Sequence, residues 1–139
     1  MKSMSTSHVG SSQVEANKKL VLDFYELAFN KKDISAAVAY LDDNIIQHHP
    51  QVSEGKQGSI DAFNFFLKQT PTMKATVKKV IAEGDLVVLH VFMQPNPNEP
   101  NDRGMAVVDI FRVENGKIKE HWDVIQPIPE TAANNNTMF

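Results

Sequence analysis

Three side chains in the last third of the chain have the types and spacing for proton transfer: Asp109, His121 and Asp123, within AVVDIFRVENGKIKEHWDVIQ, residues 106–126. A carboxylate buried and unpaired inside a strand costs several kcal/mol, so Asp109 in the middle of an apolar run calls for a reason. In an apolar pocket desolvation raises the pKa of Asp123, making it a general base able to take a proton and return it. A nearby His121 or His90 could orient it or donate a hydrogen bond to a developing enolate oxygen. Two acids on one face, Asp109 and Asp123, would push their titrations apart into one acid and one base. The plainer alternative is a hairpin whose acids pair with Lys117, Lys119 or Arg112.

Whether these groups meet depends on one turn. Asn115-Gly116 between two apolar-rich runs is a strong hairpin signal. A two-residue loop would set Asp109 opposite Trp122 and send His121 and Asp123 to the other face. A three-residue loop, Glu114-Asn115-Gly116 with Gly116 left-handed, sets Asp109 opposite His121 and Val107 opposite Asp123. The second register is favoured, because it gathers the three costly polar groups and leaves Arg112 with Glu120 outside.

Further polar candidates lie upstream. Tyr25, on an amphipathic helix, either reaches a cavity with its hydroxyl or is a core tyrosine with a wet tip. In the β-leaning NIIQHHP (44–50), His48 and Ile46 point one way while Gln47 and His49 point the other, so one histidine at most enters a pocket. Adjacent histidines suggest a metal, but same-strand neighbours diverge and no further His or Cys stands at ligand spacing, so none is expected. His90, alternating with Val88 and Phe92, is either a satisfied core histidine or a pocket-lining one.

The elements that must hold these residues follow from periodicity. Residues 1–13, rich in Ser and containing His8, read as a flexible arm. Leu20, Val21, Phe24, Leu27 and Ala28 mark a first helix; Asp33 is an N-cap for a short second one with Ile34, Ala37, Val38 and Leu41 inward. Gly58 or Ser59 caps a third helix to about Gln69, with Ile60, Phe63, Phe66 and Leu67 inward and Phe65 off the stripe. Strands follow at 76–82 and 86–94, then the hairpin; 128–139 reads as a loose tail. Helices before consecutive strands give α+β, a curved antiparallel sheet wrapped by the N-terminal helices into a cone around an apolar pocket.

Composition narrows the class. At 139 residues the chain makes one domain, placed at 14–127, and its net charge of −3 with scattered basic residues argues against a nucleic-acid surface. There is no cysteine, no signal-peptide core and no long apolar run, so a cytoplasmic protein without membrane attachment is expected.

The hairpin DIFRVENGKIKEHWDVIQ (109–126), the short strand IIQHHP (45–50) and the glycines of EGKQG (54–58) resemble the SnoaL-like polyketide cyclases of the nuclear transport factor 2-like superfamily. The resemblance implies a cofactor-free enzyme that closes a ring by intramolecular aldol condensation, or a related isomerase, acting on a hydrophobic, enolisable carbonyl compound. It implies that Asp123 is the acid/base and that His48 matches a pocket position. Asp109 stands where cyclases often carry histidine. His121 and Asp109 complete the catalytic candidates; His48, His90, Trp122, Phe111 and Tyr25 are the substrate-binding ones, with Trp122 also matching as a structural residue. A homodimer through the outer sheet face is implied. The alternative is a non-catalytic small-molecule-binding module on the same fold.

Overall fold

The structure, a computed structural model, describes residues 10–139. The first nine residues of the expected arm, His8 included, lie outside them. Helix α1 runs Ser11–Tyr25, so residues 11–13 form its first turn rather than part of an arm. Its apolar stripe buries Val21, Phe24, Tyr25 and, one turn on, Ala28. The helix continues as one π-helical turn, Glu26–Asn30, closed by the Lys31 N–H donating to the Glu26 carbonyl at 2.8 Å. The wider turn aims Asn30 at the sheet. Its amide donates to the Ala75 carbonyl at 2.9 Å and accepts from the Ala75 N–H at 2.8 Å, as a neighbouring strand would.

Helix α2, Ile34–Val38, starts where expected: the Asp33 carboxylate accepts from the Ala36 N–H at 3.1 Å. Strand β1 is Leu41–Gln47. Helix α3 spans Gly55–Gln69 and begins earlier than its sequence suggests. Gly58 and Ser59 are buried inside it, not capping it. Gly58 serves close approach instead, since a Cβ there would sit 1.9 Å from the Ser53 carbonyl oxygen.

Strands β2 (Lys74–Glu83), β3 (Leu86–Gln94), β4 (Met105–Glu114) and β5 (Lys117–Pro127) form a meander. The sheet order is β1-β5-β4-β3-β2, with β1 parallel to β5 and every other pair antiparallel. The fold is α+β: helices pack on the concave face of a curved, unclosed sheet. Alternation along β3 separates the two faces, with Val87, Leu89 and Val91 fully buried toward the helices. On the convex face, residues 128–139 form neither helix nor strand, yet the Phe139 ring packs 5.2 Å from both His90 and Phe92. Lys79 Nζ donates to the Phe139 main-chain oxygen at 3.0 Å, and Lys78 Nζ lies 5.8 Å from its ring. No helix among the described residues is long and apolar enough to cross a membrane.

Candidate functional site

The β4–β5 turn has two residues: Glu114 pairs with Lys117, and Asn115 and Gly116 take φ of 53° and 71°. Both left-handed residues suit the primed hairpin turn that Asn-Gly encodes. The expected three-residue loop is therefore absent. Alone, this turn would carry His121 and Asp123 to the convex face. A bulge corrects it: Val113 pairs with Ile118, the next rung is Arg112 with Glu120, and Lys119 is left over. Beyond the bulge Phe111 faces His121, Asp109 faces Asp123, and Val107 faces Ile125 rather than Asp123. The three polar groups do share the concave face, through a device placed three residues beyond the turn.

None of the cations that could have neutralised these acids does so. Lys119 turns to Asp42 at 3.2 Å, Lys117 donates to the Ala39 carbonyl at 2.6 Å, and Arg112 binds Glu120 at 2.9 Å and Glu114 at 3.0 Å on the convex side.

Asp109 is 5% exposed and takes its partners from two elements. The Tyr25 hydroxyl, brought by α1, donates to its Oδ2 at 2.5 Å, and His121 Nε2 lies 2.8 Å from its Oδ1. Burial, reinforced by the Asp109 charge and hydrogen bond, pushes the Tyr25 phenol well above its ordinary value, so it stays protonated and donates. The parallel pairing of Gln47 with His121 brings β1 to the site. Gln47 Oε1 accepts the His49 main-chain N–H at 3.1 Å, so the atom there is oxygen. His121 Nδ1, 2.7 Å from that same oxygen, must then carry a hydrogen. One proton is left to share between His121 Nε2 and Asp109 Oδ1.

Asp123 has a different partner. His49 Nδ1 stands 2.8 Å from both of its carboxylate oxygens, while His121 Nε2 is 4.0 Å from its Oδ2. His49 Nε2 is buried with no partner among the described residues. One oxygen of each aspartate and His121 Nε2 lie within 4.8 Å of one another, a set able to ligate a cation, though Asp109 and His121 already bond within the protein.

These groups form the charged part of the lining of a cavity of about 320 Å³. The remainder is mostly apolar: Phe24 from α1, Phe29 from the π-helical turn, Phe63 and Phe66 from α3, and Met93 and Val107 from the sheet. Tyr25 and Phe111 belong to this wall, as the sequence suggests.

Three sequence candidates lie elsewhere. His48, not His49, was expected in the pocket; its ring stacks on Trp122 at 4.8 Å on the convex face, because β1 alternates with odd residues inward. Trp122 follows from the same alternation on β5. His90 also faces outward, opposite Val108 and Lys79 and against Phe139. Sequence reasoning missed His49 and Gln47. Their shared parity was legible, but Ile45-Ile46 offers an apolar side chain to each face and so leaves the inward one open.

The sequence profile of the SnoaL-like polyketide cyclase family matches residues 19–132. No curated protein matches the chain. Among solved structures it is similar to an NTF2-like protein of unknown function from Cytophaga hutchinsonii, with 22% identity, 80% of this chain and 90% of that one covered, and a TM-score of 0.65. It is similar to a candidate polyketide cyclase from Bacillus cereus, with 20% identity, coverage of 86% and 80%, and a TM-score of 0.67. A candidate ketosteroid isomerase from Kribbella flavida shares 16% identity over 87% and 85%, with a TM-score of 0.69. At these identities the likeness is one of fold.

Proposed function

The chain belongs to the SnoaL-like polyketide cyclase family, and from that premise we propose that its cavity enolises a hydrophobic carbonyl compound, with Asp123 as the base. The observation that supports this best is the division of the carboxylates. Asp109 is engaged by Tyr25 and shares a proton with His121, whereas among the described residues Asp123 has a side-chain hydrogen bond only with His49, and it lines the cavity.

Asp123 takes the proton from the carbon flanked by carbonyls, and the C–H electron pair moves onto the carbonyl oxygen. The hydrogen on His121 Nε2, released by Asp109 Oδ1 as the substrate binds, is the donor to that developing oxyanion. In a cyclase the enolate carbon then attacks a second carbonyl of the same molecule, and the alkoxide formed recovers the proton from Asp123. In an isomerase the proton returns to a different carbon. Either way the substrate's own carbonyls spread the charge, and the apolar wall excludes water. A cavity of about 320 Å³ lies at the small end of ligand pockets, which suits one or two fused rings.

The test is deuterium incorporation into 2-tetralone in buffered D₂O, followed by proton NMR. Wild type accelerates exchange at the α-carbon. Asp123→Asn retains binding, read by chemical-shift perturbation, and loses at least about a hundredfold of the acceleration, the usual share of a general base. Binding without acceleration in wild type would replace the enzyme by a small-molecule-binding module. The same reading includes a homodimer through the convex face, where Ile81 and Val124 are 62% and 67% exposed. Light scattering on eluting protein distinguishes dimer from monomer.

A further inference from the structure

His48 and Trp122, the two motif residues that fall outside the pocket, form a contact set that mirrors the one inside it. Where β1 and β5 run side by side, odd residues meet within the cavity: Gln47 with His121, and His49 with Asp123. The residues between them meet on the convex face. His48 Nε2 lies 2.7 Å from Glu120 Oε2, and its ring lies parallel to the Trp122 indole, at 4.8 Å and 3°. Glu120 is anchored in turn by Arg112 Nε at 2.9 Å. Burial favours its neutral form, but the hydrogen bonds from His48 and Arg112 outweigh this and hold its carboxyl below the ordinary range.

This matters because His49 lies past the end of β1. The last ladder partner is Gln47, and the segment is carried one step further by the His48 N–H donating to the His121 carbonyl at 3.0 Å. After that it turns away, with the Val52 N–H on the His49 carbonyl at 3.0 Å. The His49 ring is therefore set against Asp123 by a backbone whose side-chain anchor is on the opposite face. We propose that His48 and Trp122 are positioning residues: their stack, tied to Glu120, fixes the backbone angle at which His49 meets Asp123. The importance of that bond for chemistry rests on the base assigned to Asp123, but its geometry does not.

The test is NMR on the full chain with ¹⁵N-labelled histidine, reading the exchange of the His49 Nδ1–H with water and the carboxyl titration of Asp123. His48 is 42% exposed in its side chain, so His48→Ala leaves the core untouched. In His48→Ala and Trp122→Leu the His49 proton exchanges roughly tenfold faster, the scale of one lost aromatic stack, and the Asp123 titration moves. In Trp122→Phe, which restores a flat ring, both return toward wild type. The Tyr25 hydroxyl proton on Asp109 keeps its wild-type exchange throughout. Wild-type protection of His49 in His48→Ala overturns the proposal, as does an equal loosening of His49 and Tyr25, which would mean general destabilisation. Should Trp122→Leu fail to fold, His48→Ala and Trp122→Phe decide alone. A protein in which Asp123→Asn still exchanges the ketone would refute the base while leaving this result readable.

Discussion

Among the described residues Asp109 is the one buried carboxylate, 5% exposed, with two hydrogen-bonding side chains and an apolar wall around it. Tyr25→Phe removes one donor and leaves a buried oxygen unsatisfied, which costs about 1–3 kcal/mol, measured as a lowered midpoint in urea unfolding. The phenol itself sets an alkaline limit. Its folded pKa lies above the ordinary 10.0, so its contribution to stability is whole below that pH and is lost as pH rises through the folded value. Absorbance titration therefore shows one of the two tyrosines ionising only as the protein unfolds. Glu120 has the opposite sign. Its folded pKa lies below the ordinary 4.5, so its stabilisation is present above that value and fades as pH falls through the folded one. Glu120→Gln flattens this acid limb of stability against pH. At this scale the sequence named Asp109, His121, Asp123 and Tyr25, all of which the fold brings to the cavity. It pointed to His48 where the fold presents His49, because a motif fixes residue types, while the inward parity of β1 is decided by which of Ile45 and Ile46 the core accepts, and that is Ile45 at 2% exposure.

Among the elements, the β4–β5 hairpin governs the site, and Lys119 is its bulged residue. Deleting Lys119 keeps the Asn115-Gly116 turn and the apolar count but removes the bulge. The rungs on either side then join without a step: Arg112 still faces Glu120, Phe111 still faces His121 and Asp109 still faces Asp123, so every residue of β5 keeps its face. The expected outcome is a regular ladder in which cross-strand NOEs still pair Asp109 with Asp123, which shows that the bulge serves only to absorb Lys119. The register could not be read locally: turn chemistry and polar clustering pulled toward different loop lengths, and only a bulge satisfies both. Helix α3 gives a similar lesson. Gly58 looks like a cap in sequence but lies against Ser53, a contact distant from any periodicity signal. Gly58→Ala must displace main chain and destabilises by about 1–3 kcal/mol, read by thermal unfolding.

For the molecule as a whole, helix–strand order and the α+β class follow from periodicity, whereas the sheet order does not. The parallel pairing of β1 with β5 joins segments more than seventy residues apart and carries no local signature, yet it delivers Gln47 and His49 to the site. Phe139 was likewise illegible, since nothing in TAANNNTMF announces a partner on the convex face. Phe139→Ala removes its packing on His90 and Phe92 and lowers stability by roughly 1 kcal/mol, well short of a fully buried ring. The open sheet also has two edges, β1 and β2, whose unpaired main-chain groups could recruit strands from other molecules. Each edge discourages that. β1 is short and carries Asp42 and Asp43; β2 is irregular at Lys78, bears lysines at 74, 78 and 79, and has the amide of Asn30 seated on Ala75. A sheet left open around its cavity is in this way protected against edge-to-edge aggregation.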